Sequence, residues 1–150
     1  MSVRIETTLS PTEQDHLAIL TPLRAYNVSR AGDSGAEQFA LLVRDETSNE
    51  VLGGLYGKLF YRWMFIELLA VPEQVRGQGL GSRLMKLAEE LALEKKCVGI
   101  WLDTFDFQAP EFYRSHGFSE FGTLSDYPPG HRRFFFQKRL DQAGESGLPA

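Results

Sequence analysis

The sequence has little of what marks secreted, metal-binding or membrane proteins. Cys97 is its one cysteine, so no intrachain disulfide can form and nothing indicates an oxidising compartment. Its three histidines lack the spacing of paired metal ligands, and we expect no metal site. The longest apolar run, residues 64–71, contains Glu67 and is too short to span a membrane. Because residues 1–9 lack the apolar segment of a signal peptide, we predict a cytoplasmic protein with no membrane partner.

Positive charge is also scarce. The chain carries 16 Lys and Arg against 20 Asp and Glu, a net charge of −4, which is the opposite sign from a nonspecific nucleic-acid binder. We therefore expect no nucleic-acid partner. Apolar residues make up 43% of the chain, which is enough to fill the core of one domain. We predict a single domain over residues 1–140 and a polar tail at residues 141–150 that we expect to be disordered.

Hydrophobic periodicity predicts alternating strands and helices. The first strand is predicted at residues 3–8, Ser10 is predicted to cap the helix that follows, and Thr21-Pro22 is predicted to break it in two. Further strands are predicted at residues 38–45, 51–60, 61–71, 98–105, 118–124 and 132–140, and further helices at residues 80–96 and 110–116. This order predicts an α/β (α+β) fold, a mixed central sheet of about seven strands flanked by about four helices.

The segment 69–82 carries most of the chemical information. It joins a buried strand to an amphipathic helix and has three alternating glycines between residues 77 and 81. Glycines let a backbone approach a ligand closely, and the N–H groups at a helix start favour phosphate or pyrophosphate. Arg76 adds a cationic donor there. Two alternatives are a tight turn that binds nothing and a dinucleotide-binding loop, although Ser82 stands where that loop needs its third glycine.

The sequence resembles the GCN5-related N-acetyltransferase (GNAT) family at two places. Residues 76–81 have the pattern R-x-x-G-x-G, which resembles the family's Arg/Gln-x-x-Gly-x-Gly/Ala motif. Residues 109–118, A-x-x-F-Y-x-x-x-G-F, are similar to the helix and strand that close the family's fold. The resemblance covers about residues 51–140. It implies a GNAT-like fold with splayed central strands, and an N-acetyltransferase that passes acetyl from acetyl-CoA to a primary amine by direct attack in a ternary complex.

The resemblance also implies roles for individual residues. The strand ending at residues 69–71 would splay at a bulge and hold the pantetheine arm and the acetyl carbonyl with its free backbone groups. The N–H groups of residues 76–81, with Ser82, would bind the pyrophosphate of coenzyme A, and Tyr113 would lie near the thioester sulfur. The predicted coenzyme-binding residues are Leu69, Ala70, Val71, Arg76, Gly77, Gln78, Gly79, Leu80, Gly81, Ser82 and Gln108.

One position departs from the family's pattern. An asparagine that contacts the pantetheine is common seven residues before the tyrosine, and this sequence has Asp106 there. A carboxylate cannot donate a hydrogen bond as an amide does, so the sequence leaves open whether Asp106 or Gln108 takes this contact. Asp103, Asp126 and His131, together with Asp106, come from segments expected to rim the acceptor site. Acidic groups there would suit a cationic amine; the alternative is a solvated acidic surface.

Tyr113 is the candidate acid. Attack by an amine builds negative charge on the carbonyl oxygen, which a backbone N–H such as that of Val71 can stabilise. The departing thiolate then needs a proton, and a phenol with a pKa of about 10 can donate to a thiolate whose acid has a pKa of about 8.5. The alternative is that Tyr113 is a core aromatic residue beside Phe112 and Phe118.

Glu67 is the candidate base. An amine is protonated at neutral pH, so a group must take its proton directly or through water. By strand alternation Glu67 shares a side with Leu69 and Val71, and burial in an apolar strand would raise its pKa. The alternative is a structural ion pair with an arginine such as Arg62 or Arg133.

Other functions and partners follow from the same residues. The main alternative to an enzyme is a non-catalytic module of the same fold that binds acyl-CoA; a third interpretation is a structural protein in which the glycine segment is only a turn.

We expect Cys97 to be a small buried hydrophobe, and we propose no covalent intermediate. The acceptor, a small-molecule amine or a peptide amine, cannot be identified from the sequence. Aromatic residues 134–136 point to both faces of one strand, which is consistent with a core and a homodimer.

Overall fold

The computed structural model describes residues 1–141. These residues belong to two compact units, Met1–Ser34 and the part of the chain that begins at Gly35. The single domain predicted over residues 1–140 therefore stays a prediction. The tail predicted at residues 141–150 lies outside the described residues except for Asp141, whose carboxylate accepts a hydrogen bond from Arg139. No helix among residues 1–141 is long and apolar enough to cross a membrane.

The first unit has an N-terminal segment without regular structure and one helix, α1 (Glu13–Ala31). The strand predicted at residues 3–8 is wrong, because alternation alone cannot make a strand without a partner edge for its backbone groups. The break predicted at Thr21-Pro22 is also wrong, since α1 continues through Pro22. A proline inside a helix costs about 3 kcal/mol, because it removes one backbone hydrogen bond and crowds the preceding turn.

The start of α1 shows how this sequence satisfies a helix N-terminus when no ligand is involved. Thr12, and not the predicted Ser10, is the N-cap residue. Its hydroxyl accepts a hydrogen bond from the Asp15 amide at 3.1 Å, and its own amide donates to the Asp15 carboxylate at 2.8 Å. This reciprocal capping box supplies acceptors for N–H groups that the helix itself cannot pair.

The second unit is a six-stranded sheet with the order β1-β2-β3-β4-β6-β5. Its strands are β1 (Glu37–Arg44), β2 (Val51–Phe60), β3 (Trp63–Ala70), β4 (Gly99–Phe105), β5 (Ser119–Ser125) and β6 (Arg132–Arg139), and its helices are α2 (Leu80–Glu94) and α3 (Pro110–Ser115). Only β3 and β4 are parallel; the other neighbours are antiparallel. The described residues thus hold six strands and three helices, fewer than the predicted seven and four, because residues 3–8 form no strand and α1 is unbroken.

The core lies between one face of the sheet and α2. The helix buries four side chains against strands β1, β3 and β4, and the strands supply most of the rest. Each fully buried aliphatic or aromatic side chain contributes about 1.5–3 kcal/mol to folding. The largest fully buried side chains are Phe136, Leu55, Met64, Ile100 and Leu102.

Two of the sequence predictions concern side chains in or near this core. Cys97 is buried, as predicted, and burial raises the pKa of its thiol more than the positive charge of Arg62 lowers it. A thiol held neutral in this way is a poor nucleophile. Phe134 and Phe136 point into the core, while Phe135 is only partly buried and packs near Phe121. The homodimer suggested by this strand stays a prediction.

The two central strands separate halfway along their length. Strands β3 and β4 pair only from residues 63 and 99 to residues 66 and 102, although β3 continues to Ala70 and β4 to Phe105. The separation begins at a β-bulge, because in the β2–β3 ladder Gly57 pairs with Ile66 and the next pair skips Glu67. A bulge adds one unpaired residue, bends its strand and increases the local twist. The splayed central strands predicted from the family resemblance are confirmed.

The strand opposite the bulge must come very close to β3. A Cβ atom at Gly57 would lie 2.3 Å from the backbone oxygen of Phe65 and 2.8 Å from the ring of Phe39. Neither distance is compatible with a side chain, so only glycine allows β2 to approach β3 here. The absence of a side chain at residue 57 therefore helps to keep β2 on the bulged strand while β4 separates from it.

Candidate active site

The gap between β3 and β4 opens into a cleft of about 1020 Å³. Its walls come from the separated strand ends, from α3 and from the start of α2, so both sequence motifs meet at one place. The lining residues are Ile66, Glu67, Leu68, Leu69, Ala70, Val71, Arg76, Gly81, Leu102, Asp103, Thr104, Phe105, Phe107, Gln108, Ala109, Phe112, Tyr113 and Arg133. The predicted residues Gly77, Gln78, Gly79, Leu80 and Ser82 are not in the cleft wall and lie in the adjoining loop and first turn of α2.

The start of α2 lacks the cap that α1 has. Its N-cap residue is Gly79, and its first turn has no acidic residue. Within the described part of the chain, no side chain caps its first N–H groups. Unpaired N–H groups and the positive end of the helix dipole attract an anion. Because α1 is capped by its own Thr12 and Asp15, the two helix starts differ in the way expected if α2 takes its acceptor from a ligand.

Glycine stands at three positions of this loop for two different structural reasons. Gly77 and Gly79 have φ angles of 85° and 70°, in the left-handed region, and the space beside them is open. They allow the turn, and no atom of residues 1–141 fills the space beside these two glycines. Gly81 instead lies against a side chain, because a Cβ there would be a tight 3.2 Å from the ring of Phe112. Arg76 holds the loop to the end of β3, with its Nε donating to the carbonyl oxygen of Val71 at 3.3 Å.

Tyr113 belongs both to the core and to the cleft. Its ring packs 5.3 Å from the centre of the Phe112 ring and 6.3 Å from that of Phe136, and it also lines the cleft wall. Burial, and then the negative charge of Asp103, raise the pKa of its phenol. The side chain is therefore a neutral hydroxyl at physiological pH, able to donate a proton or a hydrogen bond.

Glu67 lines the cleft but differs from the prediction in two ways. Its side chain is exposed, so the premise of burial is wrong. The bulge at Glu67 also interrupts the alternation of β3, so the predicted shared side with Leu69, which packs on the core, does not follow. The predicted ion pairs are not formed among the described residues: Arg133 binds Asp103, and Arg62 Nε donates to a backbone carbonyl. Glu67 is therefore a carboxylate open to the cleft.

Comparison with known proteins identifies the family at this point. Residues 7–118 match the family model described as the acetyltransferase (GNAT) family. The chain belongs to the GNAT family. The resemblance found in the sequence is thus confirmed, and the mixed sheet with its splayed centre is the GNAT fold.

Relatives over most of the length support the enzyme class. Acetyltransferase Atu2258 of Agrobacterium fabrum is 37% identical over 82% of this chain and 89% of its own. Blasticidin-S acetyltransferase of Streptomyces morookaense is 37% identical over 79% of this chain and 78% of its own. A crystal structure from Agrobacterium tumefaciens matches with a TM-score of 0.86 and 33% identity, over 92% of this chain and all of that one. The chain is an acyltransferase of the GNAT type.

The GNAT position that is commonly asparagine has a structural role here. The Asp106 carboxylate accepts hydrogen bonds from the Arg132 amide and from His131 Nδ1, both at 2.9 Å, and fastens the β5–β6 loop to the end of β4. Partial burial alone would raise the pKa of Asp106, but these bonds outweigh it and lower the pKa. Gln108 lines the cleft, and its side-chain oxygen accepts from the Phe105 amide at 2.8 Å and from Thr104 at 3.0 Å. These bonds use the oxygen of Gln108 and not its NH₂ donors.

The acidic rim predicted for the acceptor site is only partly assembled. Asp103 lines the cleft, but it is paired with Arg133, whose Nε donates to its carboxylate at 2.9 Å. Asp106, Asp126 and His131 are not in the cleft wall. The unpaired carboxylate of the GNAT cleft is therefore that of Glu67, among the residues that line it.

His116 links the two motif helices of this GNAT site, and the sequence prediction missed it. Its Nε2 lies 3.1 Å from Ser82 Oγ on α2, and its Nδ1 lies 2.8 Å from the carbonyl oxygen of Phe112 on α3. The Phe112 ring packs on His116 with the ring centres 4.4 Å apart. His116 occupies an unspecified position of the second motif, so no pattern in the sequence indicated this contact.

The raised pKa of Tyr113 gives a direct prediction. Because burial and the charge of Asp103 disfavour the phenolate, we expect Tyr113 to ionise above the ordinary tyrosine value of about 10. Ultraviolet difference titration of the native chain against Tyr113→Phe isolates this group. Asp103→Asn removes one of the two causes and is expected to lower the midpoint. A midpoint at or below the ordinary value in the native chain would contradict this electrostatic description.

Proposed function

We propose that this acyltransferase transfers acetyl from acetyl-CoA to a primary amine of a small molecule, by direct attack in a ternary complex. The observation that carries the proposal is the cleft, where the uncapped start of α2, the unpaired edge of β3 and the phenol of Tyr113 meet. Acetyltransferases of this family use acetyl-CoA. The relatives are acetyltransferases, which disfavours the alternative of a module that only binds acyl-CoA.

The coenzyme would lie along the α2 loop and the edge of β3. The N–H groups of residues 76–82 and the guanidinium of Arg76 suit the pyrophosphate, since no side chain of the described residues caps this helix start. Residues 69–71 line the cleft beyond the bulge, where β3 has no partner in β4, and they suit the amide groups of the pantetheine arm. Gln108 is better placed than Asp106 for the remaining contact, because it lines the cleft and keeps its amide donors.

In the transfer step the amine nitrogen attacks the thioester carbonyl carbon. The C–N bond forms, the C–S bond breaks, and the thiolate leaves with the electron pair of the C–S bond. A backbone N–H, which we place at Val71, would stabilise the oxyanion; removing one such donor typically costs about 3 kcal/mol. The neutral phenol of Tyr113 would protonate the thiolate, because its raised pKa keeps its proton in place at neutral pH.

The exposed carboxylate of Glu67 in the cleft wall is the basis for the proposed base and for the proposed class of acceptor. Glu67 would take the proton from the ammonium form of the acceptor, directly or through a water molecule, and later release it to solvent. The second proton, which the nitrogen loses as the amide forms, would pass through water to the phenolate left on Tyr113. As the unpaired carboxylate among the lining residues, it would also attract a cationic amine. One relative is named for blasticidin S, and this supports a small-molecule acceptor over a peptide amine. The cytoplasmic location stays a prediction.

The coenzyme site can be tested by binding. We expect coenzyme A to raise the melting temperature, since a ligand at one hundred times its Kd stabilises a fold by about 2.7 kcal/mol. Gly79→Ala should weaken binding, because it strains the left-handed turn that presents the amides. Gly130→Ala is the matched control, as Gly130 also has a positive φ with open space beside it but lies outside the cleft wall. No shift with millimolar coenzyme A, or no thiol release from acetyl-CoA with any amine of a broad panel, would refute the proposed function.

If Tyr113 is the acid, removing its hydroxyl should lower turnover without changing the binding of acetyl-CoA. Tyr113→Phe should lower kcat by about 10²–10⁴-fold, the usual contribution of a general acid, and leave the Kd for acetyl-CoA unchanged. Steady-state kinetics with calorimetry measure the two quantities. Tyr26→Phe, at an exposed tyrosine of α1, is the control and should retain full turnover. Normal turnover in Tyr113→Phe would leave this side chain with packing as its role.

The base role predicts a change in pH dependence. Glu67→Gln should lower kcat/KM by about 10²-fold or more and remove the acidic limb of the pH–rate profile. Glu50→Gln, in the exposed β1–β2 turn, is the matched control. If the Glu67→Gln profile keeps the native acidic limb, another group or solvent takes the proton.

A further inference from the structure

The hydrogen bonds around His116 fix the state of its ring. A backbone carbonyl can only accept, so the 2.8 Å contact with the Phe112 carbonyl oxygen requires a proton on His116 Nδ1. Ser115 Oγ lies 3.2 Å from the same nitrogen, but it donates its own proton to the Phe112 carbonyl oxygen at 2.6 Å and so is no donor to Nδ1. In the neutral ring Nε2 then carries a lone pair. Ser82 Oγ, 3.1 Å away, must donate its proton to that lone pair.

This arrangement is unfavourable for an anion beside Ser82. With its proton directed at His116, the hydroxyl of Ser82 offers only lone pairs to the space at the start of α2. Those lone pairs would face the oxygens of a bound phosphate group, although the neighbouring backbone N–H groups attract them. Protonation of His116 reverses the pair, because Nε2–H then donates to Ser82 Oγ and the Ser82 proton becomes available to the ligand.

We propose that the Ser82–His116 pair is a proton-coupled donor for the diphosphate of the coenzyme: binding of the diphosphate is accompanied by uptake of one proton at His116. The inference rests on the proposed function, since it assumes that the diphosphate lies at the start of α2. In the bound state the proton sits on Nε2, between His116 and Ser82, and the hydroxyl proton of Ser82 points to a phosphate oxygen.

The charges around His116 explain why uptake accompanies binding. Lys138 on β6 donates to the His116 carbonyl oxygen and to Glu89 of α2, both at 3.0 Å, so this ion pair adds little net charge. Lys86 of α2 lines the same cavity as His116 and opposes a second positive charge there. On α3 itself, Arg114 is paired with Glu111 and Glu120. The diphosphate supplies the negative charge that offsets Lys86, so the cationic ring is favoured when the ligand is present.

The test uses 3′-dephospho-coenzyme A. Coenzyme A itself carries a phosphate monoester, whose second pKa of about 6 would add its own proton linkage, whereas a diphosphate bridge does not titrate in this range. We expect titration calorimetry in two buffers of different ionisation enthalpy to show net proton uptake on binding. We expect the ligand to bind about tenfold more tightly at about pH 6 than at about pH 8.

Three variants locate the effect. His116→Gln and Ser82→Ala should each abolish the uptake and flatten the dependence of Kd on pH, and Ser82→Ala should weaken binding at low pH by about tenfold. His16→Gln, at an exposed histidine of α1, is the matched control and should keep the native uptake. Ser82→Ala keeps the inference testable even if His116→Gln does not fold, because it removes the same hydrogen bond from the other side.

The outcomes separate this inference from the proposed function. Binding without proton uptake in the native chain, or uptake that persists in both pair variants, overturns the inference and leaves the coenzyme site intact. Failure of both dephospho-coenzyme A and coenzyme A to bind overturns the proposed function, and the inference with it. Uptake that is lost in the pair variants and kept in His16→Gln supports the proton-coupled donor.

Discussion

The site depends on one interruption in the pairing of two parallel strands. β3 and β4 share hydrogen bonds over four positions and then separate at the bulge that Glu67 introduces. A continuous ladder would use the facing backbone groups of both strands and close the sheet. The interruption instead leaves an edge of β3 and a gap beside it, into which Tyr113 of α3 reaches. The sheet thus provides both the rigid support and the opening.

The cleft wall carries groups suited to opposite charges. The uncapped start of α2 and Arg76 are suited to negative charge. Glu67 is exposed and unpaired among the lining residues, while Asp103 is neutralised by Arg133. Tyr113 lines the same cleft, in surroundings that keep its phenol protonated. This polarity matches a reaction that brings an anionic coenzyme and a cationic amine to the same carbonyl carbon.

Local patterns in the sequence predicted the elements whose stability depends on local contacts. Strand β2 and the start of α2 were predicted at their observed residues, since each has its own periodicity and turn signals. The splayed strands came from the resemblance to the family. Residues 3–8 alternate like a strand but form none, and Pro22 lies within a continuous helix, because partners in space decide such cases.

The site was predicted where a motif specifies it and missed where tertiary contacts create it. The loop glycines and Tyr113 follow from motif spacing. The orientation of Glu67 does not, because a single inserted residue reverses the alternation that the prediction assumed. His116 was missed for a related reason: its partners Ser82 and Phe112 are brought together only when α3 meets α2. Long-range contacts of this kind leave no local pattern.

The loop before α2 presents main-chain amides, and this has an evolutionary consequence. A side chain that binds a ligand is lost in one mutation, but an amide survives replacement of its residue provided that the turn keeps its shape. Gly77 and Gly79 secure that shape, while Gln78 between them is open to change. The far wall of the cleft, built from side chains such as Phe105 and Phe107, has no such protection. Lineages can therefore exchange one acceptor for another while inheriting the donor pocket intact.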